Sequence, residues 1–191
     1  MSIMIDTVIA EALEVLKRGG VILYPTDTVW GIGCDATNEA AVARVFEIKH
    51  RSEAKSLVML ACDLDMVAKH FKEIPNIAID LVEVNDAPMT IIYPGAQYLA
   101  PNVVAEDGSV GIRIPMNEFC VKLVRRLRRP LVSTSANISG EETPECFAEI
   151  SPEIVSAVDY VVPAALERDS TGRASQIIKL GLRGEVEIIR P

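Results

Sequence analysis

An amphipathic stretch carrying Ile9, Leu13 and Leu16 on one face is ended by Gly19-Gly20 and followed at once by the apolar tetrad Val21-Ile22-Leu23-Tyr24, which Pro25 stops. A helix delivered straight into a strand with no polar side is the unit of a layered α/β fold, because such a strand must be covered on both faces. Asp6 or Thr7 is the expected cap of that helix. Proline has no N–H for a ladder, so the strand ends there and the hydroxyls of Thr26 and Thr28 fall in the loop beyond it. Loops at strand ends commonly carry ligand sites.

The same pattern continues along the chain. Asn38 is placed to cap a helix with Val42, Val45 and Phe46 on one face and Lys49-His50-Arg51 at its C-terminal end. Residues 57–60 read as a short strand, Asp63 caps a helix running to Phe71, and Pro75-Asn76 opens another that carries Ile79 and Val82. Strands are expected at 89–93 and 110–114. Asn117 caps a helix through Val121 and Leu127, Pro130 breaks it, and Leu131-Val132 enters Ser133-Thr134-Ser135-Ala136-Asn137. Thr143-Pro144-Glu145 has the order of a cap, a first-turn proline and an acid, which predicts a short helix over 144–150. The tail reads as strands at 158–162, 176–180 and 185–189, the last two joined by a hairpin between Gly181 and Gly184.

A chain of 191 residues fits one domain, 1–191, and 49% hydrophobic residues with only 5% aromatic suits helices stacked on a sheet. Cys34, Cys62, Cys120 and Cys146 lie far apart and form no C-x-x-C pair, which predicts buried thiols in a reducing compartment and no zinc site. Asp6, Glu11 and Glu14 interrupt the first apolar stretch, which excludes a signal peptide or membrane span there and points to a cytoplasmic protein. A net charge of −8 argues against a protein that holds nucleic acid by bulk electrostatics. The distribution is uneven, with six cations and only Glu118 over 113–129, and eight acids and only Arg168 over 141–169.

Lys49 and Arg51 suit a phosphate chain, one as a point charge and one as a planar fork, or they complement a helix C-terminus. The pentad 133–137 offers hydroxyls, an amide and successive backbone N–H groups to an anion, or forms an ordinary polar turn. It is no Walker loop, since G-x-x-x-x-G-K-[ST] is absent. Serine hydrolysis is disfavoured because His50 and His70 stand in no triad setting and G-x-S-x-G is missing. His70 reads as a solvated helix residue. His50 reads as pointing away from Lys49 and Arg51. The four arginines of 125–129 read as a solvated helix end rather than a nucleic-acid surface. Arg113, inside an apolar strand, is expected to face a carboxylate or phosphate, since burying it unpaired is costly. Trp30 reads as core or as a stacking platform, and 172–175 as a turn or as a loop closing over a ligand.

Assembled, these residues resemble the YrdC-like threonylcarbamoyl-AMP synthase family along essentially the whole chain. The matching stretches are 24–37 (YPTDTVWGIGCDAT), Lys49-His50-Arg51 as K-x-R, 111–115 (GIRIP), 133–137 (STSAN) and Arg190-Pro191. The resemblance implies an α/β (α+β) fold with a twisted, open, mixed parallel and antiparallel sheet flanked by helices, in the short, single-domain form of the family. It implies a nucleotidyltransferase that joins L-threonine, bicarbonate or CO2, and ATP into threonylcarbamoyl-AMP and pyrophosphate. In the family that intermediate serves the N6-threonylcarbamoyl modification of adenosine 37 in tRNA, which a separate transferase complex completes.

By the family pattern, Lys49, Arg51, Ser133, Ser135, Asn137 and Arg190 fall on the ATP side, with Lys49 and Arg51 as the catalytic cations and Mg²⁺ accompanying the nucleotide. Thr26, Thr28, Arg113 and Ser175 fall on the threonine side. Weak RNA binding, as a double-stranded RNA or ribosome-assembly module of the same fold, is the alternative the resemblance carries. A related hydrogenase-maturation domain that adenylates carbamoyl phosphate sits in much longer chains. This sequence departs from the common family pattern at Ser52, at Lys55-Ser56, at Leu60 where a histidine is frequent, at Trp30 where a tyrosine is frequent, and at 176–179, where only Ser175 before it is retained.

Overall fold

The computed structural model describes residues 2–52, 57–168 and 170–191, so the departure at Lys55-Ser56 lies outside the described residues. Helix α1 (Ser2–Lys17) leads into strand β1 (Ile22–Tyr24). The helix starts ahead of the expected cap, and Asp6 instead pairs with Arg126 at 2.7 Å. Strand β2 (Gly31–Gly33), not expected from the sequence, returns antiparallel on β1, with Leu23 opposite Ile32. These glycines have a packing cause rather than a turn cause. A β-carbon on Gly33 would lie 2.2 Å from Val132 O and 2.8 Å from the Tyr24 ring, so only bare backbone fits there.

Helix α2 (Glu39–Ile48) begins as expected, with Asn38 Oδ1 accepting from Ala41 N at 3.1 Å. After β3 (Val58–Leu60), α3 (Leu64–Lys69) is capped by Asp63, which accepts from Met66 N at 2.9 Å. It stops short of Phe71 because the chain turns at His70. His70 is not solvated: it is 9% exposed, its Nδ1 lies 3.3 Å from Gln97 O, and burial lowers its pKa from the ordinary imidazole value. Gln97 N donates to His70 O at 2.9 Å, which presses the two segments together. Helix α4 (Asn76–Val84) buries Ala78 and leaves Ile79 exposed.

Strands β4 (Met89–Tyr93) and β5 (Val110–Arg113) pair antiparallel, and α5 (Glu118–Leu127) follows its Asn117 cap, which accepts from Cys120 N at 3.1 Å. Strands β6 (Leu131–Val132) and β7 (Thr134–Ser135) come next. The helix expected over 144–150 is only a 3₁₀ turn, Phe147–Glu149. The real helix, α6 (Pro152–Ala157), follows Ser151-Pro152-Glu153, which repeats the same cap, proline and acid order a few residues later. The chain closes with β8 (Tyr160–Val161), β9 (Gln176–Leu180) and β10 (Val186–Arg190).

The strands form two mixed sheets rather than one. The four-stranded sheet has the order β7-β2-β1-β8, and the six-stranded sheet the order β10-β9-β4-β5-β3-β6. Parallel pairing joins β1 to β8, β3 to β5 and β4 to β9, and the other pairs are antiparallel. The segment 131–135 belongs to both sheets: β6 pairs with β3 in one and β7 with β2 in the other. Ser133 sits at the crossing, its N–H donating to Val58 O at 2.8 Å. Helices α1 and α5 and both sheets share one hydrophobic core, which includes Ile9, Leu23, Val42, Met59, Ile112 and Leu123. Among the described residues no helix is long and apolar enough to cross a membrane.

Candidate functional site

Where the two sheets diverge from the 131–135 crossing, a cavity of about 690 Å³ opens. It is walled by the β1–β2 loop, Arg51, β4, β5, residues 133–135, Ser175, and the pocket-facing side of β9 and β10. Of the ten residues that the resemblance places on the ATP and threonine sides, seven line it: Thr28, Arg51, Arg113, Ser133, Ser135, Ser175 and Arg190. Thr26, Lys49 and Asn137 are not in its wall.

Thr26 builds the loop. Its Oγ1 accepts from Thr28 N at 3.0 Å and donates to Val29 O at 2.7 Å. Thr26 and Thr28 hydroxyls are 2.9 Å apart, and Thr26 has already used its one proton, so Thr28 is the donor of that pair. Arg113 Nη2 donates to Thr28 Oγ1 at 3.2 Å. What Thr28 retains toward the cavity is therefore acceptor capacity, suited to an amine or hydroxyl of a ligand.

Arg113 does face a carboxylate, and it is the protein's own. Its Nη1 lies 2.5 Å from Asp27 Oδ1, while Asp27 Oδ2 accepts from Met116 N at 3.0 Å. Both side chains are almost fully buried, so the pair is neutral as a unit and rigid. The sequence reading gave Asp27 no role. Nothing local marks it as the partner of a residue 86 positions away.

Lys49 is only 1% exposed and turns away from solvent into the 133–137 segment. Its Nζ donates to Ser135 O at 2.5 Å and Asn137 O at 2.7 Å, and Ser139 N donates to Lys49 O at 2.8 Å. Burial, with the neighbouring charge of Arg51, lowers its pKa to about 8. The ammonium thus fixes the backbone of the pentad from behind, while Arg51, two residues on, lines the cavity. His50 leaves the site, with a left-handed φ of 49° and its Nε2 3.3 Å from Glu153 on the surface. Asn137 donates its amide to Ile138 O and Glu141 O and so shapes the exit of the pentad.

Arg190 reaches the cavity because the β9–β10 register slips between Ile188 and Arg190, a bulge that re-aims the side chain. Its Nε and Nη2 both donate to Ser175 O, at 2.8 and 2.6 Å. Ser175 Oγ in turn lies 2.7 Å from Thr90 Oγ1. Thr90, in β4, is a wall residue that the sequence reading did not single out. Trp30 is a core residue, 1% exposed against Phe147 with 5.0 Å between ring centroids, and it also borders the cavity. The departure at 179 puts Lys179 on the cavity rim, paired with Asp107 at 2.6 Å. The departure at 60 buries Leu60 in β3, away from the wall. The arginines of 125–129 lie at the exposed end of α5, where Arg126 pairs with Asp6 and Arg129 with Asp35.

Among the described residues no group of three His, Cys, Asp or Glu side chains could cage a metal ion. Among the described residues the site is a set of hydroxyls and arginines on one side, and a hydroxyl pair with a neutralised arginine on the other. Such a set binds and orients charged ligands and offers no nucleophile with an adjacent base.

Comparison with known proteins agrees with this architecture. The Sua5–YciO–YrdC family model, described as telomere recombination, matches residues 14–191. A threonylcarbamoyl-AMP synthase of Xanthomonas euvesicatoria pv. vesicatoria is 35% identical over 164 residues, covering 83% of this chain and 87% of its own. One from Acinetobacter baumannii is 30% identical over 195 residues, covering 98% and 100%. The structure of P. abyssi Sua5 complexed with L-threonine superposes with a TM-score of 0.80 at 26% identity over 90% of this chain, which spans half of that longer one. With the family model matched over most of its length, this chain belongs to the Sua5–YciO–YrdC family.

Proposed function

We propose that this protein is an L-threonylcarbamoyladenylate synthase, forming threonylcarbamoyl-AMP and pyrophosphate from L-threonine, bicarbonate or CO2, and ATP, for the threonylcarbamoyl modification of tRNA adenosine. The observation that carries this reading is the single cavity in which Thr28, Arg113 and Ser175 face Arg51, Ser133, Ser135 and Arg190. Its volume falls within the range of about 300–1,000 Å³ usual for small-molecule sites. The kinship with threonylcarbamoyl-AMP synthases of comparable length supports the same assignment.

In this reading the threonine amine bonds to the carbon of CO2 and loses a proton, giving a carbamate. A carbamate oxygen then attacks the α-phosphorus of ATP, and the bond to pyrophosphate breaks. Displacement at phosphorus asks the protein for positioning and charge neutralisation more than for covalent help. Arg51 and Arg190 supply fixed positive charge for the phosphates, and the Ser133 and Ser135 hydroxyls supply donors. Lys49 keeps that segment in shape from behind and adds its charge at short range. Thr28 accepts from the threonine amine or hydroxyl, and Arg113, held by Asp27, presents its remaining donors to carboxylate or carbamate oxygen.

Magnesium would travel with the phosphate oxygens, since the described residues offer hydroxyls and isolated carboxylates rather than a cage. When bound it neutralises phosphate charge. The tRNA enters only through the separate transferase complex. The four unbridged cysteines support a cytoplasmic setting. Incubation with ATP, Mg²⁺ and bicarbonate should release pyrophosphate in a threonine-dependent manner; release that is indifferent to threonine, beside an active control enzyme, would contradict the assignment.

A further inference from the structure

Ser175 is a cavity hydroxyl whose direction is set by a second buried hydroxyl, as Thr28 is by Thr26. Thr90 is 0% exposed, and its Oγ1 lies 2.7 Å from Ser175 Oγ. Among the described residues Ser175 Oγ is the only hydrogen-bond partner of that hydroxyl. A buried hydroxyl that can donate to a neighbour does so, because an unspent donor in a dry site costs about 1–3 kcal/mol. Thr90 therefore spends its proton on Ser175, and the proton of Ser175 is left for the cavity.

The surroundings hold Thr90 in this orientation. In the ladder it stands opposite Arg113 on one side and Ile177 on the other, in the middle of the six-stranded sheet. Gly111, on the adjacent strand, leaves room for its methyl: a β-carbon there would lie 3.3 Å from Thr90 Cγ2. With the methyl seated over Gly111, the β-branched side chain has one rotamer that meets Ser175. The other end of Ser175 is fixed as well, its carbonyl accepting both Nε and Nη2 of Arg190.

We infer that Thr90 is a positioning residue for the amino-acid substrate: by donating to Ser175 Oγ it makes Ser175 a donor toward the substrate's anionic oxygens, opposite the acceptor at Thr28. This rests on the synthase reading. A carboxylate or carbamate takes a proton donor at Ser175, whereas a Ser175 hydroxyl that donated to Thr90 would turn its lone pairs toward those oxygens. The recognition is polarised, with acceptor at Thr28 and donor at Ser175, and Thr90 sets the second pole without touching the substrate.

The test compares T90V, T90S, S175A and the T90V/S175A pair in threonine-dependent pyrophosphate release, with melting scans on every variant. T90V keeps the shape and removes the donor, so the threonine KM should rise about tenfold, on the order of 1.4 kcal/mol, with the ATP KM held within twofold. T90S should stay within threefold of wild type. In the S175A background T90V should add no further loss, since the two act through one bond. A threonine KM unchanged in folded T90V, or full additivity with S175A, overturns the inference while wild-type threonine dependence keeps the synthase reading intact. If wild type itself shows no threonine dependence, the synthase reading fails and the inference falls with it. Should valine not be tolerated, T90A makes the same removal with a smaller side chain and is judged by the same outcomes.

Discussion

Asp27→Ala should destabilise the fold severely, and the loss should run through Arg113. The two side chains are 8% and 4% exposed, so water cannot replace the lost carboxylate. Removing one partner of a buried ion pair typically costs about 3–5 kcal/mol, because the other charge is left uncompensated. Asp27 also accepts from Met116 N at 3.0 Å, and a stranded backbone donor adds about 1–3 kcal/mol. Relaxation lets these terms overlap, which puts the expected loss near ~4 kcal/mol, or roughly 10 °C in Tm for a chain of this size. Lys179→Ala is the contrast, since the Lys179–Asp107 pair is 38% and 52% exposed and such pairs contribute about 0–1 kcal/mol. Urea unfolding followed by the fluorescence of the single tryptophan, with linear extrapolation, measures both. Asp27→Ala combined with Arg113→Met removes both charges and should recover a substantial part of the loss. An Asp27→Ala cost under about 1 kcal/mol, or a double variant no more stable than the single one, would refute the buried-pair reasoning.

Lys49 and Gly33 give two further expectations. Burial lowers the Lys49 pKa to about 8 in the folded chain against an ordinary 10.5, so between these values the unfolded chain holds a proton that the folded chain has released. Folded stability attributable to Lys49 therefore rises as pH rises through that window, by an amount on the order of 3 kcal/mol. Wild type should gain on Lys49→Met between pH 8 and 10.5 in chemical denaturation, and parallel curves would show that the ammonium is not desolvated. Gly33→Ala places a β-carbon 2.2 Å from the Val132 carbonyl, a backbone contact that no rotamer relieves. It should abolish a cooperative melting transition, whereas Gly111→Ala, with its nearest contacts at 3.3–3.7 Å, should retain one.

Local signals in the sequence reached the elements and missed their meetings. Asn38, Asp63 and Asn117 each cap the helix expected of them, because a cap is settled within three residues. The apolar runs at 22–24, 89–93 and 176–180 are strands for the same short-range reason. Strand β2 was hidden because its glycines answer to Val132 and Tyr24, not to their neighbours in sequence. The division into two sheets turns on Ser133, whose pentad reads as a polar turn until β3 and β2 are seen to claim its two ends. In the site, hydroxyls and arginines were legible as residue types. Their roles were not: Asp27 neutralises Arg113, Lys49 faces carbonyl oxygens, and Thr90 stands behind Ser175, all through contacts between distant parts of the chain.

The central claim is that one cavity joins threonine carbamate to AMP. Mass spectrometry of the small-molecule product, formed from ATP, L-threonine, Mg²⁺ and carbon-13-labelled bicarbonate, tests it most directly. The account predicts an adenylate whose mass contains both threonine and the labelled carbon, formed together with pyrophosphate and lost when threonine is omitted. An adenylate lacking the labelled carbon, or nucleotide turnover that yields no threonine-containing product, would contradict it.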